Sequence, residues 1–199
     1  MALVNDEPNR LAIDALHLGP GERVLELGFG PGWSLRTIAA RTRGARVYGL
    51  DQSARMVEQA RRMNEVAVNS GRMVLVQGHF SPLPWIDEMF DKVLLVNVLY
   101  FFDLDGRDIS EVYRVLRSGG RLAIYVTSRE TMRKWPFAAT GTHRTFDAHD
   151  LAELLEQAGF RPSDIKIANA ELALGVKGLV AVAEKTVGSA ALSRPGSIA

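Results

Sequence analysis

Short apolar runs and amphipathic stretches alternate along the chain. Arg23-Val24-Leu25-Glu26-Leu27 is a β-type run that ends in glycines, and Arg46 to Leu50, Met73 to Val76, Lys92 to Val96 and Leu122 to Val126 are runs of the same kind. Between them the apolar positions switch to helical spacing. Leu11 to Leu16 forms part of a first helix, and Ser34 to Thr42 a second, with Ser34 as its N-cap. Ser53 opens a long amphipathic helix carrying Met56, Val57, Ala60, Met63 and Ala67 on one face, and Gly71 stops it. Asp108 to Leu116 places Ile109, Val112, Val115 and Leu116 together, and Asp147 caps a helix running to Ala158. Ile165 to Ile167 and Leu179 to Ala183 are two last strands whose short link, Ala168 to Lys177, predicts an antiparallel pair.

Strands that are apolar throughout, and separated by helices, predict an α/β fold with a mainly parallel sheet covered on both faces. Residues 1–186 read as one domain, and 187–199, small, polar and Gly/Pro-containing, as a flexible tail. The segment Thr127 to Phe146 has no clean period, and a stretch of that length inside a compact domain marks a functional loop.

Composition removes several chemistries. With 199 residues the chain buries a core without staples, and with no Cys it has neither disulfides nor thiolate ligands nor a cysteine nucleophile. The 24 basic and 23 acidic side chains leave a net charge of +1, which argues against a nucleic-acid coat. Asp6 and Glu7 stand where a signal peptide would be apolar, and Val93 to Phe102, broken by Asn97, is far too short to span a bilayer. A cytoplasmic protein without a membrane partner is expected. The four His residues form no H-x-x-x-H pair, so no metal is expected.

The chemistry lies in Glu26-Leu27-Gly28-Phe29-Gly30-Pro31-Gly32-Trp33, between the first strand and a helix. Glycines there let a ligand approach the backbone, and the helix N-terminus supplies free N–H groups. The dinucleotide pattern G-x-G-x-x-G fails because its third position is Trp33, and the P-loop pattern is missing. Asp51 follows Gly28 by 23 residues, at the end of the next strand, where a carboxylate can accept hydrogen bonds from a ribose diol or cap the following helix.

Val24 to Gly32 resembles the first motif of class I S-adenosylmethionine-dependent methyltransferases. Tyr48 to Ser53, Phe90 through Asn97, and Arg114 to Leu122 are similar to that family's later motifs in register. Pro8-Asn9-Arg10 and Asn97 to Phe102 resemble the ubiquinone/menaquinone-methyltransferase-like subgroup, which acts on small molecules. The resemblance implies a Rossmann-like, seven-stranded, mainly parallel sheet with helices on both faces and the last strand antiparallel. It implies S-adenosyl-L-methionine as cofactor, with S-adenosyl-L-homocysteine as product. Its binding set would be Glu26, Gly28, Phe29, Gly30, Gly32, Trp33, Asp51, Gln52, Met56, His79, Phe80 and Asn97. Glu26 would lie near the cationic methionyl end. After the third strand the family usually carries an acid that takes the adenine amino group; here His79 replaces it.

On the acceptor side the candidates are Asn9, Tyr100, Phe101, Arg129, Lys134 and His143, with His143 as a candidate base. Cations and aromatics interleave in Thr127 to Phe146, which suits an anionic or aromatic small molecule. The expected partner is such an acceptor, with no nucleic acid, and the chain a monomer or homodimer. An RNA or protein methyltransferase, or a non-catalytic S-adenosylmethionine-binding module, are the alternatives.

Overall fold

The computed structural model describes residues 6–133 and 144–186. The expectations placed on Lys134, His143 and the tail 187–199 lie outside the described residues.

The chain runs α1 (Asp6–Leu16), β1 (Arg23–Leu27), α2 (Trp33–Arg41), β2 (Arg46–Asp51), α3 (Ala54–Met63), α4 (Glu65–Asn69), β3 (Met73–Gln77), β4 (Phe90–Val96), α5 (Arg107–Val115), β5 (Leu116–Thr127), α6 (Arg129–Met132), α7 (Ala148–Ala158), β6 (Ile165–Glu171) and β7 (Lys177–Glu184). The seven strands form one sheet in the order β3-β2-β1-β4-β5-β7-β6. Neighbours from β3 to β5 pair in parallel, and β7 runs antiparallel to both β5 and β6. Both arrangements follow from connection length: parallel neighbours need a crossover, whereas the link from β6 to β7 is a tight turn through Ala173–Gly175.

Alternation along each strand feeds two apolar layers. Leu25, Leu27, Leu50, Val93, Leu95 and Ile124 face one layer with α5 and α7. Val24, Val47, Leu94, Ala123 and Tyr125 face the other, with Ile13 and Leu16 of α1 and Leu35 and Ile38 of α2. Parity puts Glu26 and Asp51 on this second face.

Three local expectations change. The second helix starts at Trp33 with Gly32 as its cap, so Ser34 lies inside the first turn and its hydroxyl is free for other work. The long helix after Ser53 breaks at Asn64, whose side-chain amide donates to the Ala60 carbonyl at 2.9 Å and to the Gly32 carbonyl at 3.2 Å. Sequence spacing cannot show a break made by a side chain reaching another segment. The fifth strand begins at Leu116 rather than Leu122, and within it Gly119 takes φ 75 and its N–H meets the Lys185 carbonyl. Asp147 does cap α7, in a reciprocal capping box with Asp150.

Among the described residues no helix is long and apolar enough to cross a membrane.

Gly178 of β7 gives way to the fully buried Tyr125 ring: a Cβ there would stand 2.2 Å from the Tyr125 Oη. Gly178→Ala is therefore expected to cost about 1–3 kcal/mol of stability through overpacking, read as a lower urea midpoint at unchanged slope.

Candidate functional site

Strand β1 lies between β2 and β4, and the chain leaves it toward β2 first and toward β4 later. The order reverses there, so the loops after β1 and β4 diverge and open a crevice at the strands' C-terminal ends. The glycine turn sits in that crevice.

Each glycine answers a different constraint. The Gly28 N–H donates to the Leu50 carbonyl at 2.8 Å, and a Cβ would stand 2.3 Å from Val98, just after β4. A Cβ on Gly32 would stand 2.7 Å from Ala60 of α3. Gly30 differs: it has φ 55, yet a Cβ would meet nothing within 4 Å. The turn is thus packed from below and open above, a backbone cradle facing the crevice. The Phe29 ring turns away into the core, against Gly49. Only its backbone borders the cradle.

Asp51 ends β2 and is 8% exposed. Its Oδ2 accepts from the Gly30 N–H at 2.9 Å and its Oδ1 from the Ser53 N–H at 2.8 Å. These two bonds aim the carboxylate across the cradle, and each oxygen keeps a lone pair for a further donor. The helix cap is Ser53, whose hydroxyl accepts from the Met56 N–H, so Asp51 is not needed for that role. Gln52 and His79 are exposed, Met56 is half-buried, and Phe80 is buried against Phe102 with ring centroids 5.1 Å apart. Trp33 is half exposed at the start of α2.

Glu26 is buried at 2% exposure, and both of its oxygens lie within 2.7 Å of the Ser34 hydroxyl. Burial pushes its carboxyl up to about 8; the Ser34 hydrogen bond pulls it down and the Asp51 charge adds to the rise. Near neutral pH the group is largely protonated, and an arriving cation would favour its ionised form. Ser34 was hidden from a reading of the sequence, where a serine at a helix start looks like a cap.

Asn97 follows β4 at φ 52, a left-handed conformation that Asn tolerates better than most residues. Its N–H donates to the Tyr125 carbonyl at 2.8 Å. Its Oδ1 accepts from the Tyr100 hydroxyl at 2.9 Å, the Thr127 N–H at 3.1 Å and the Thr127 hydroxyl at 3.3 Å. With its oxygen so occupied, Asn97 has its amide N–H groups to offer a ligand. Tyr100 is 8% exposed and burial raises its hydroxyl, so it stays protonated and fixes Asn97. Thr127, a lone polar group closing an apolar strand, is the signal a reading of the sequence passed over.

The acceptor-side candidates separate. Asn9 is half-buried on α1, which packs on β4 and β5. Phe101 is exposed in the turn after β4. Arg129 is a brace: its guanidinium donates to Asp147 at 2.6 Å, to the Thr145 hydroxyl and carbonyl at 3.2 Å, and to Asp150. It ties α6 to the cap of α7, so its donors are already engaged and a substrate anion would have to compete for them. Among the described residues no group of three His, Asp or Glu side chains could hold a metal ion.

Residues 25–124 match the family described as "Methyltransferase domain". The chain is 30% identical over 177 residues to the uncharacterized methyltransferase YdaC of Bacillus subtilis (strain 168), covering 88% of this chain and 92% of that one. It is 30% identical to the O-methyltransferase resE of Aspergillus sclerotiorum over 71% of this chain, and spans only 55% of that relative. A SAM-dependent methyltransferase structure from Aquifex aeolicus superposes with a TM-score of 0.71 at 20% identity, covering 90% of both chains.

The raised Glu26 carboxyl predicts a pH signature. Its proton is held more tightly in the folded chain than in the unfolded one, so its contribution to stability is complete below pH 4.5 and is lost as pH rises through about 8. Glu26→Gln cannot ionise. Denaturant titrations of both proteins from pH 5 to 9 should show the wild type losing stability relative to Glu26→Gln up to about pH 8, then a constant difference.

Proposed function

Since this chain belongs to the methyltransferase domain family, we propose that it transfers a methyl group from S-adenosylmethionine to a small-molecule acceptor. The observation that carries this reading is the Asp51 carboxylate held across an open glycine cradle.

The residues fit the cofactor. Asp51 would accept both ribose hydroxyls while keeping its bonds to Gly30 and Ser53. The cradle at Gly30 leaves room for the ligand against the backbone. Glu26 lies beneath the turn, where it would answer the positive charge of the methionyl end, and Asn97 would offer amide donors beside it. Met56, half-buried on α3, and the buried Phe80 would border the adenine, with the exposed His79 at the rim. When bound, the sulfonium supplies an activated methyl group. What the chain contributes is alignment of the acceptor and exclusion of water, so no catalytic dyad is required.

A small acceptor is supported by likeness to the O-methyltransferase resE. The segments Pro8-Asn9-Arg10 and Asn97 to Phe102 support the ubiquinone/menaquinone-methyltransferase-like subgroup.

Calorimetric titration with S-adenosylmethionine and S-adenosylhomocysteine tests the reading. Wild type is expected to bind both, and Asp51→Ala to bind each about 100-fold more weakly, because charge-assisted hydrogen bonds to the ribose are lost. Wild-type protein that binds neither ligand would overturn it.

A further inference from the structure

Tyr125 is fully buried on β5, yet among the described residues its hydroxyl has no hydrogen-bond partner. Buried polar groups in folded chains are almost always paired, and functional sites are where exceptions are kept. The surroundings are shaped to this hydroxyl. Gly178 leaves the space that Oη fills, since a Cβ there would stand 2.2 Å away. Burial raises the Tyr125 hydroxyl; the Thr127 side chain, close enough to interact with it though not in hydrogen-bond geometry, lowers it, and the Glu7 charge adds a smaller rise, so the phenol remains a donor.

The position is as telling as the chemistry. Val96 of β4 pairs with Tyr125, and Leu94 pairs with both Glu26 and Ala123. Tyr125 therefore shares the Glu26 face, two strands over and two residues nearer the C-terminal edge, about 10 Å across and about 7 Å along. Asp51 on β2, Glu26 on β1 and Asn97 after β4 lie in strand order. The next strand in that order is β5. Asn97 is bonded to Thr127, two residues past Tyr125, so the cofactor side and the Tyr125 side share one polar network.

Resting on the methyltransferase reading above, we propose that the Tyr125 hydroxyl grips the oxygen or nitrogen atom of the methyl acceptor, so that the substrates are hydroxylated or amino-bearing small molecules methylated at that heteroatom. A phenol donating to one lone pair fixes an oxygen in place while another lone pair faces the methyl group; an amine, with a single lone pair, is held instead by donating an N–H to the phenol oxygen. In both cases the S–CH3 bond breaks as the C–O or C–N bond forms, the sulfonium leaves as a neutral thioether, and the acceptor's proton passes to solvent. A carbon nucleophile offers no lone pair for such a grip. The first turn of α1 closes this region: Pro8 is buried, and Glu7 is fastened by the Ala173 N–H at 3.3 Å and by Arg10 at 3.9 Å. An acceptor would reach the hydroxyl past this turn, whose side-chain bonds are exposed.

Phenol, catechol and benzylamine, with toluene as the control lacking a heteroatom, are titrated into S-adenosylhomocysteine-saturated wild type and Tyr125→Phe by saturation-transfer NMR. At least one heteroatom probe is expected to bind wild type, and to bind Tyr125→Phe about tenfold more weakly, while toluene binds both alike. Tyr125→Phe should melt at or above the wild-type temperature, since it deletes only an unpaired atom. Equal probe affinities, no binding of any heteroatom probe up to about 10 mM, or a Tyr125→Phe midpoint well below wild type would overturn the proposal. Wild-type protein that fails to take up S-adenosylhomocysteine overturns the cofactor reading instead. The probe comparison is then run without it and still decides the role of the hydroxyl.

Discussion

Strand β1 is hydrogen-bonded on both sides to parallel neighbours, and the chain reaches those neighbours by crossovers that leave in opposite directions. Two crossovers cannot both cover the ground above β1, so the C-terminal end of that strand opens onto a crevice. The rest of the site is an answer to this gap. Gly28 must lie close to Val98, because β4 returns on the far side of it. Gly32 must lie close to Ala60 and Asn64, because α3 returns on the near side. The turn between them is fixed from two directions and free only upward, where Gly30 faces open space.

The electrostatics depend on the same geometry. Asp51 reaches the end of β2 at the crevice and is oriented by two backbone N–H groups, so it is aimed before any ligand arrives. Glu26 is one strand over and deeper, bonded by the Ser34 hydroxyl. Buried on the same face as the Asp51 carboxylate, Glu26 is driven toward its protonated form by burial and by that neighbouring charge. On the proposed reading, Glu26 would respond to the ligand's charge and Asp51 would accept its hydroxyls. On the far side, Asn97, Tyr100 and Thr127 lock the exits of β4 and β5 together.

Much of this was legible in the chain. Strands without alternation and helices with a 3.6-residue period specify a covered parallel sheet, because both signals are set by which faces are buried. The short link before the last strand specifies the antiparallel end, because no crossover fits in it. The glycine turn and the Asp51 position were visible as well, since close backbone approach excludes side chains and a strand-end carboxylate has few uses.

What the sequence by itself determined was the order of elements, the site of the turn and the identity of the groups at strand ends, all consequences of local spacing and residue type. Tertiary structure alone decided how those groups are occupied. Ser34 serves Glu26 rather than a helix end, Asn64 breaks its helix to hold Gly32, Arg129 braces α7 although its sequence neighbours suggested a substrate cation, and the Tyr125 hydroxyl beneath α1 has no hydrogen-bond partner among the described residues. Each of these depends on a partner many residues away, and a hydrogen bond is a matter of distance and angle that no linear pattern encodes.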